Sequence, residues 1–236
     1  MGGFTPLSLN PLVHVSARLL SLADGDPVAS VANFGSVSGA YAQANATKQP
    51  VFDADGINGE PSVNSDGVDD IMVFPAFGTY STFWGFMVFR TVASVPGSKE
   101  LWAVQSFPEG NPGKFLLLET NTTNTLRINT TWAPSVSPAT LALANNTTYA
   151  LLIAGSTTSW RMKLSSGAEQ TGTLAGTTGN QACIFNFPMT IFGRNDGGLF
   201  MSYRFGEQTV GNGSLSGANE AALWAYANQT WGTPIP

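Results

Sequence analysis

From residue 71 to residue 205 the chain is a succession of short β-branched or aromatic runs, each closed by Gly, Pro, Asn or Asp. That spacing leaves room for many strands and almost no helix. The runs lie at 71–74, 82–92, 101–107, 114–120, 125–132, 148–154, 159–164, 188–192 and 199–205. In Trp160-Arg161-Met162-Lys163-Leu164 apolar and charged residues alternate strictly, the pattern of a strand with one face on a core and one in water. Residues 83–89 are apolar on both faces, as in a central strand of a packed sandwich. Asn195-Asp196-Gly197-Gly198 tolerates the positive φ of a tight turn and predicts a hairpin joining 188–192 to 199–205. Only the C-terminus reads as helix. Ser216 can cap it, Glu220 stands in its first turn, and Leu223, Tyr226, Ala227, Thr230 and Trp231 follow at helical spacing. Gly232 and Pro234 stop it, so a helix is expected over 217–230, packed through Leu223, Tyr226 and Trp231.

Composition narrows the class further. Only 11% of residues are charged, against roughly 25% in ordinary domains, and 24 Thr, 21 Ser and 17 Asn supply the polarity instead. With 43% hydrophobic residues, 15 Phe and 6 Trp, the chain can bury a core, which excludes disorder. No linker or repeat divides it, so residues 1–236 are read as one domain. Eight acids against Arg18 and Lys48 make residues 1–70 acidic, and no basic stripe exists, so nucleic acid is excluded as a partner. No apolar run is long enough for a membrane span, and the start lacks the features of a secretory signal, which implies synthesis in a cytoplasm without a membrane partner. The single cysteine, Cys183, can form neither an internal disulfide nor a Cys-based zinc site and is expected as a small buried hydrophobe.

Pro11-Leu12-Val13, Leu22-Ala23-Asp24-Gly25-Asp26-Pro27-Val28, Lys48-Gln49-Pro50-Val51-Phe52, Gly56-Ile57-Asn58-Gly59-Glu60-Pro61-Ser62-Val63 and Asp66-Gly67-Val68-Asp69-Asp70 carry a resemblance. It resumes at Ile191-Phe192-Gly193-Arg194 and at Leu215-Ser216 with the closing helix. These stretches resemble the concanavalin A-like, or laminin-G-like, lectin/glucanase jelly rolls of phage virion and bacterial surface proteins. The fold this implies is all-β, a jelly-roll sandwich of two antiparallel sheets with one C-terminal helix. The chain departs from the pattern at His14-Val15-Ser16-Ala17, where such domains read Trp-Leu-Asp-Ala. It departs again at Val31 and Asn33, in place of Trp and Asp, and at Ser65, in place of Phe.

Jelly-roll glucanases set their carboxylates on near-alternate residues of one strand, whereas the glutamates at 60, 100, 109, 119, 169, 207 and 220 each lack an acid two to four residues away. A pair assembled from different strands, such as Glu119 with Glu207, would be needed instead. His14 is the only histidine and sits in an apolar strand-like run. Asp66, Asp69 and Asp70 offer hard oxygens of the kind Ca²⁺ prefers. They are read as an Asp66-Gly67 turn with Asp69 and Asp70 solvated, and the fold is expected not to need the ion. Asp53-Ala54-Asp55-Gly56-Ile57-Asn58 opens like a calcium loop, but Asn64 stands at its twelfth position, so it is read as a loop of Asx turns. Tyr41, Tyr80 and Trp132 are candidates for stacking on a sugar ring, without forming a cluster.

No catalytic residue, metal ligand or cofactor is assigned on these grounds, and no carbohydrate-binding residue is singled out. The expected protein is a non-enzymatic surface component of a tailed-phage virion, a capsid decoration or part of a tail or fibre. Its partners would be other virion proteins, as a homo-oligomer or particle-bound subunit, with a host surface glycan as an adhesion target. The alternatives are a free carbohydrate-binding module and a glycan-cleaving enzyme of the same fold.

Overall fold

A computed structural model describes residues 3–92, 97, 99–105, 114–120, 124–129, 140–156, 159–173, 183–185, 187–194 and 198–236. The first sheet runs in the order β15 (Glu169–Thr173), β14 (Ser159–Leu164), β13 (Thr148–Ser156), β8 (Thr82–Thr91), β18 (Tyr203–Asn212), β5 (Glu60–Asn64) and β4 (Val51–Ile57), with β1 (Val13–Ser16) also paired to β18. The second runs β12 (Thr140–Ala142), β11 (Thr125–Asn129), β10 (Lys114–Thr120), β9 (Lys99–Gln105), β17 (Met189–Ile191), β6 (Met72–Phe74), β3 (Ala40–Ala42) and β2 (Ser30–Ala32). A small separate ladder joins β7 (Gly78–Tyr80) to β16 (Cys183–Phe185). The sheets are antiparallel, and the one α-helix, α1 (Gly217–Trp231), makes a third layer.

Residues 83–89 are apolar on both faces because β8 serves two cores. Phe83, Met87 and Phe89 face the core between the sheets, together with Trp102, Tyr203 and Phe205. Trp84, Phe86 and Val88 point the other way and meet Leu223, Trp224, Ala227 and Trp231 of α1. In β14 the expected alternation appears, with Trp160, Met162 and Leu164 buried and Arg161 and Lys163 half-buried on the opposite face. Ser216 caps α1 by accepting from the Asn219 N–H at 3.2 Å, and Gly232 closes it in the left-handed conformation. Trp224 belongs to the buried face as well, its ring edge-on to Phe86 at 5.3 Å.

Three strand glycines stand directly across a ladder from an aromatic residue: Gly155 from Phe83, Gly172 from Trp160 and Gly211 from Trp84. A Cβ at Gly172 would come within 2.6 Å of the Trp160 ring. The ring lies over the bare backbone and covers it, which compensates for the packing that a glycine withholds from a strand.

Arg194 and Gly198 bridge antiparallel across the expected turn, with the Arg194 N–H donating to the Gly198 carbonyl at 2.9 Å, but the flanking strands do not continue as one hairpin. β17 lies in the second sheet between β9 and β6, while β18 lies in the first beside β8. The chain crosses between the layers through Phe192 and Leu199, both at positive φ, and the Met201 N–H donates to the Phe192 carbonyl at 2.8 Å. Residues 195–197 of the expected turn are outside the described residues, as is Trp132. Asn33 and Ser65, two of the departures from the jelly-roll pattern, hold loops. The Asn33 carboxamide accepts from the His14 and Gly35 N–H groups and donates to the Leu12 and Val37 carbonyls. Ser65 Oγ donates to the Met201 carbonyl at 2.7 Å.

Trp231 is fully buried between α1 and the first sheet. Trp231→Ala should therefore cost roughly 3–5 kcal/mol in chemical denaturation. An unchanged midpoint would mean that the helix is peripheral.

Candidate functional site

Glu119 is on β10 in the second sheet and Glu207 on β18 in the first, so the pair considered from sequence is not assembled. The ladders pair Glu119 differently. Glu119 stands opposite Glu100 across β9–β10 and opposite Arg127 across β10–β11, and Arg127 in turn faces Thr140. Residues directly opposite in an antiparallel pair have Cβ atoms about 4.5–5.5 Å apart. Glu100 is fully buried, with its backbone N–H bonded to the Leu199 carbonyl at 2.9 Å, and Arg127 is half-buried. An irregularity between Leu118 and Glu119 sets this register. The sequence pointed near this pairing without reaching it: folding 101–107 and 114–120 as a symmetric hairpin sets Glu100 opposite position 121, two residues from Glu119.

A second feature is a groove of about 990 Å³ at the ends of β8, β13, β14, β15 and β18, beside the start of α1. Ser156, Ser159, Trp160, Arg161, Thr171 and Glu220 are among the residues that border it. Arg161 Nη2 donates a short bond to Glu220 Oε2, and Trp224 Nε1 donates to Glu220 Oε1 at 3.2 Å. Lys163 Nζ lies 3.7 Å from Glu220 and 3.9 Å from Glu169. Burial alone would raise the Glu220 carboxyl, but the bonds from Arg161 and Trp224 and the charges of Arg161 and Lys163 outweigh it and hold the group below its ordinary value.

Under α1, on the outer face of the first sheet, two buried ionisable groups sit close in register. His14 pairs with Thr209, and Ser16 with Glu207. His14 Nδ1 is 3.0 Å from Thr209 Oγ1, and burial lowers the imidazole to about 4. The Tyr226 hydroxyl donates to Glu207 Oε2 at 2.7 Å. Burial still raises the Glu207 carboxyl to about 7, against the smaller opposing effects of Tyr226, Ser16 and Arg18. Arg18 itself donates to Glu60 at 2.7 Å and lies 6.0 Å from the centre of the Trp231 ring.

The remaining sequence candidates lie elsewhere in the fold. Ligand oxygens of Asp66, Asp69 and Asp70 lie within 4.8 Å of one another. Asp66 makes the expected turn, accepting from the Val68 N–H at 2.7 Å, with Gly67 at positive φ. Asp69 and Asp70 are not fully solvated, however. Asp69 is half-buried, and Asp70 is buried, accepts from the Asp66 N–H at 2.8 Å and is raised chiefly by that burial. The segment from Asp53 to Ile57 is part of strand β4 rather than a loop, interrupted where Asp53 accepts from the Asp55 N–H. Tyr41 is fully buried between the sheets, its hydroxyl donating to Gln208 at 2.7 Å, so it offers no face to a sugar. Tyr80 is half-buried against Phe77 and Phe185. The backbone of Cys183 pairs with that of Tyr80 on the small ladder.

No family model and no curated protein matches the sequence. Solved structures do match the fold. A Trypanosoma rangeli sialidase in complex with 2,3-difluorosialic acid superposes with a TM-score of 0.64 at 12% identity, covering 97% of this chain and 34% of the sialidase. A GH54 α-L-arabinofuranosidase soaked with 4-nitrophenyl α-L-arabinofuranoside gives 0.60 at 8% identity over 92% of this chain and 63% of that one. An arabinofuranosidase complexed with arabinofuranosyl-α-1,2-xylobiose gives 0.59 at 7% identity. This chain thus spans about a third of the sialidase and less than two thirds of the arabinofuranosidases. At such identities the likeness establishes a β-sandwich compatible with the lectin/glucanase type. The expectation of a non-enzymatic virion component gives way, because the proteins whose structures this sandwich resembles are glycosidases.

The two buried groups under α1 oppose each other in pH dependence. Glu207, raised from 4.5 to about 7, makes the native state bind more protons than the unfolded chain within that window, so stability falls as pH rises through it. His14, lowered from 6.5 to about 4, makes the unfolded chain bind more protons, so stability rises with pH from about 4 to 6.5. Each contribution is on the order of 3 kcal/mol. Glu207→Gln should leave stability rising from about pH 4 to 6.5, and His14→Gln should leave it falling from about pH 4.5 to 7. Denaturant melts across pH check both, and flat profiles would refute the assignment.

Proposed function

We propose that this chain is a glycan-cleaving β-sandwich domain in which Glu100 and Glu119 supply the carboxyl pair. The observation that carries the proposal is the β9–β10 register, which makes Glu100 and Glu119 paired positions, with Arg127 paired to Glu119 on the next strand. Retaining hydrolysis needs two carboxyl groups about 5–5.5 Å apart, one to protonate the leaving oxygen and one to attack the anomeric carbon. Paired positions of a ladder hold their Cβ atoms about 4.5–5.5 Å apart, a base from which two carboxyl groups can reach one glycosidic bond. Arg127 is paired in register with Glu119, and Glu119 is assigned the nucleophile's part and Glu100 the proton donor's.

In the first step Glu100 passes its proton to the departing glycosidic oxygen while Glu119 bonds to the anomeric carbon. In the second, Glu100 takes a proton from water, whose oxygen displaces Glu119 and regenerates both groups with the configuration retained. The fold shared with glycosidases supports this chemistry.

The test is release of reducing ends from a panel of polysaccharides and of nitrophenol from 4-nitrophenyl glycosides. Glu100→Gln and Glu119→Gln should each lower kcat by roughly a thousandfold or more. Azide should restore turnover in Glu119→Ala with the opposite anomeric configuration. Turnover indifferent to both glutamates, or none on any substrate, would overturn the assignment, and glycan binding without cleavage would favour a carbohydrate-binding module.

A further inference from the structure

We infer that the groove beside the start of α1 is a second binding site, for a segment of uncharged glycan chain, separate from the carboxyl pair on the other sheet. The ligand class rests on the reading of this chain as carbohydrate-active, whereas the site itself rests on the groove. Its volume of about 990 Å³ is at the upper end of ligand sites, which run to roughly 1,000 Å³. It is therefore roomy enough for more than one sugar ring.

Four glycines, Gly155, Gly172, Gly213 and Gly217, are among the residues lining the groove. Gly155 and Gly172 are covered on their inner face by the rings of Phe83 and Trp160, which hold those strands closely packed from beneath. Gly213 and Gly217 border open space, since a Cβ added at either would meet nothing within 4 Å. A ligand can thus approach main-chain amides and carbonyls closely, which side chains would otherwise prevent. Hydroxyls of Ser156, Ser159 and Thr171 stand on the rim. A hydroxyl both donates and accepts, as a sugar hydroxyl does, so the two can exchange hydrogen bonds in either sense.

Charge decides between ligand classes. Among the described residues that line the groove one is a cation and one an anion, Arg161 and Glu220, and these are bonded to each other. Arg161 also lies 4.0 Å from Glu169, and Glu220 accepts in addition from Trp224. An anionic ligand would have to draw Arg161 from its carboxylates, and a cationic one would have to draw Glu220 from Arg161 and Lys163. Breaking such a partly buried pair is costly. A neutral polyhydroxyl chain needs neither exchange.

The experiment is affinity electrophoresis of the full chain through gels containing soluble arabinoxylan, mixed-linkage β-glucan or galactomannan, with polygalacturonate as the charged control. At least one neutral polymer should retard the protein. Thr171→Phe, at an exposed position on the rim, should weaken that retardation by about tenfold or more without moving Tm, in the way a filled subsite does. If Thr171→Phe lowers Tm, Ser159→Phe, also exposed, replaces it. Retardation only by polygalacturonate, none by any neutral polymer, or equal retardation of the chain and its groove variants would overturn the inference. Groove-dependent binding with no hydrolysis would sustain it while removing the cleavage reading, and hydrolysis with groove-independent binding would do the reverse.

Discussion

Strand β8 holds the architecture together because its alternate side chains belong to different cores. Phe83, Met87 and Phe89 are part of the layer between the sheets, and Trp84, Phe86 and Val88 part of the layer under the helix. It pairs with β13 on one side and β18 on the other along most of its length. A slip of one residue would exchange the two sets of side chains. Gly85 forbids it, because a Cβ there would come within 2.9 Å of the Trp102 ring and no bulkier residue could occupy the position. With β8 held in register, the positions of β13, β14, β18 and the helix follow.

The layer under the helix is more polar than the layer between the sheets, and this too follows from its position. The inner core is enclosed by sixteen strands and is nearly all hydrocarbon and aromatic ring. The outer one is covered by a single helix and the turn at Pro6–Leu9, so its margin admits His14, Glu207, Thr209 and the hydroxyl end of Tyr226. Those groups are buried with few partners, which is why their proton affinities move far from their ordinary values. They lie under α1 on the first sheet, away from the paired glutamates of the second, and burial accounts for their perturbation.

The strands at 114–120 and 159–164 were legible to the residue, the first as a short apolar run flanked by Gly113 and Asn121 and the second by its strict alternation. The helix was legible from its cap and spacing. Short polar strands such as β2, β12 and β15 carry too little hydrophobic pattern to be read without their neighbours. Sheet membership was not legible either, because whether β17 pairs with β18 or with β9 depends on contacts far away in sequence. The same limit hid the carboxyl pair. Glu100 and Glu119 are isolated along the chain and adjacent only across a ladder. The glycines that line the groove look in sequence like turn punctuation, and the partnership of Gly155 with Phe83 and of Gly172 with Trp160 exists only once the strands are paired.

A charge-poor surface has few charges to oppose association with other protein subunits. The structure shows how the charges present are spent. Arg161, Lys163, Glu169 and Glu220 form one network, Arg18 pairs with Glu60, and Arg204 lies 3.6 Å from Asp53. Surface charges satisfied by one another leave hydroxyls, amides and exposed backbone as the groups that meet a partner. Those are the groups that hydrogen-bond a neutral sugar as readily as a neighbouring protein. Low charge therefore does not discriminate between the two kinds of partner, and shape must do so. A protein interface of stable size needs roughly 800 Å² of complementary surface on each side, whereas a groove bordered by glycines and small hydroxyls fits a narrow chain.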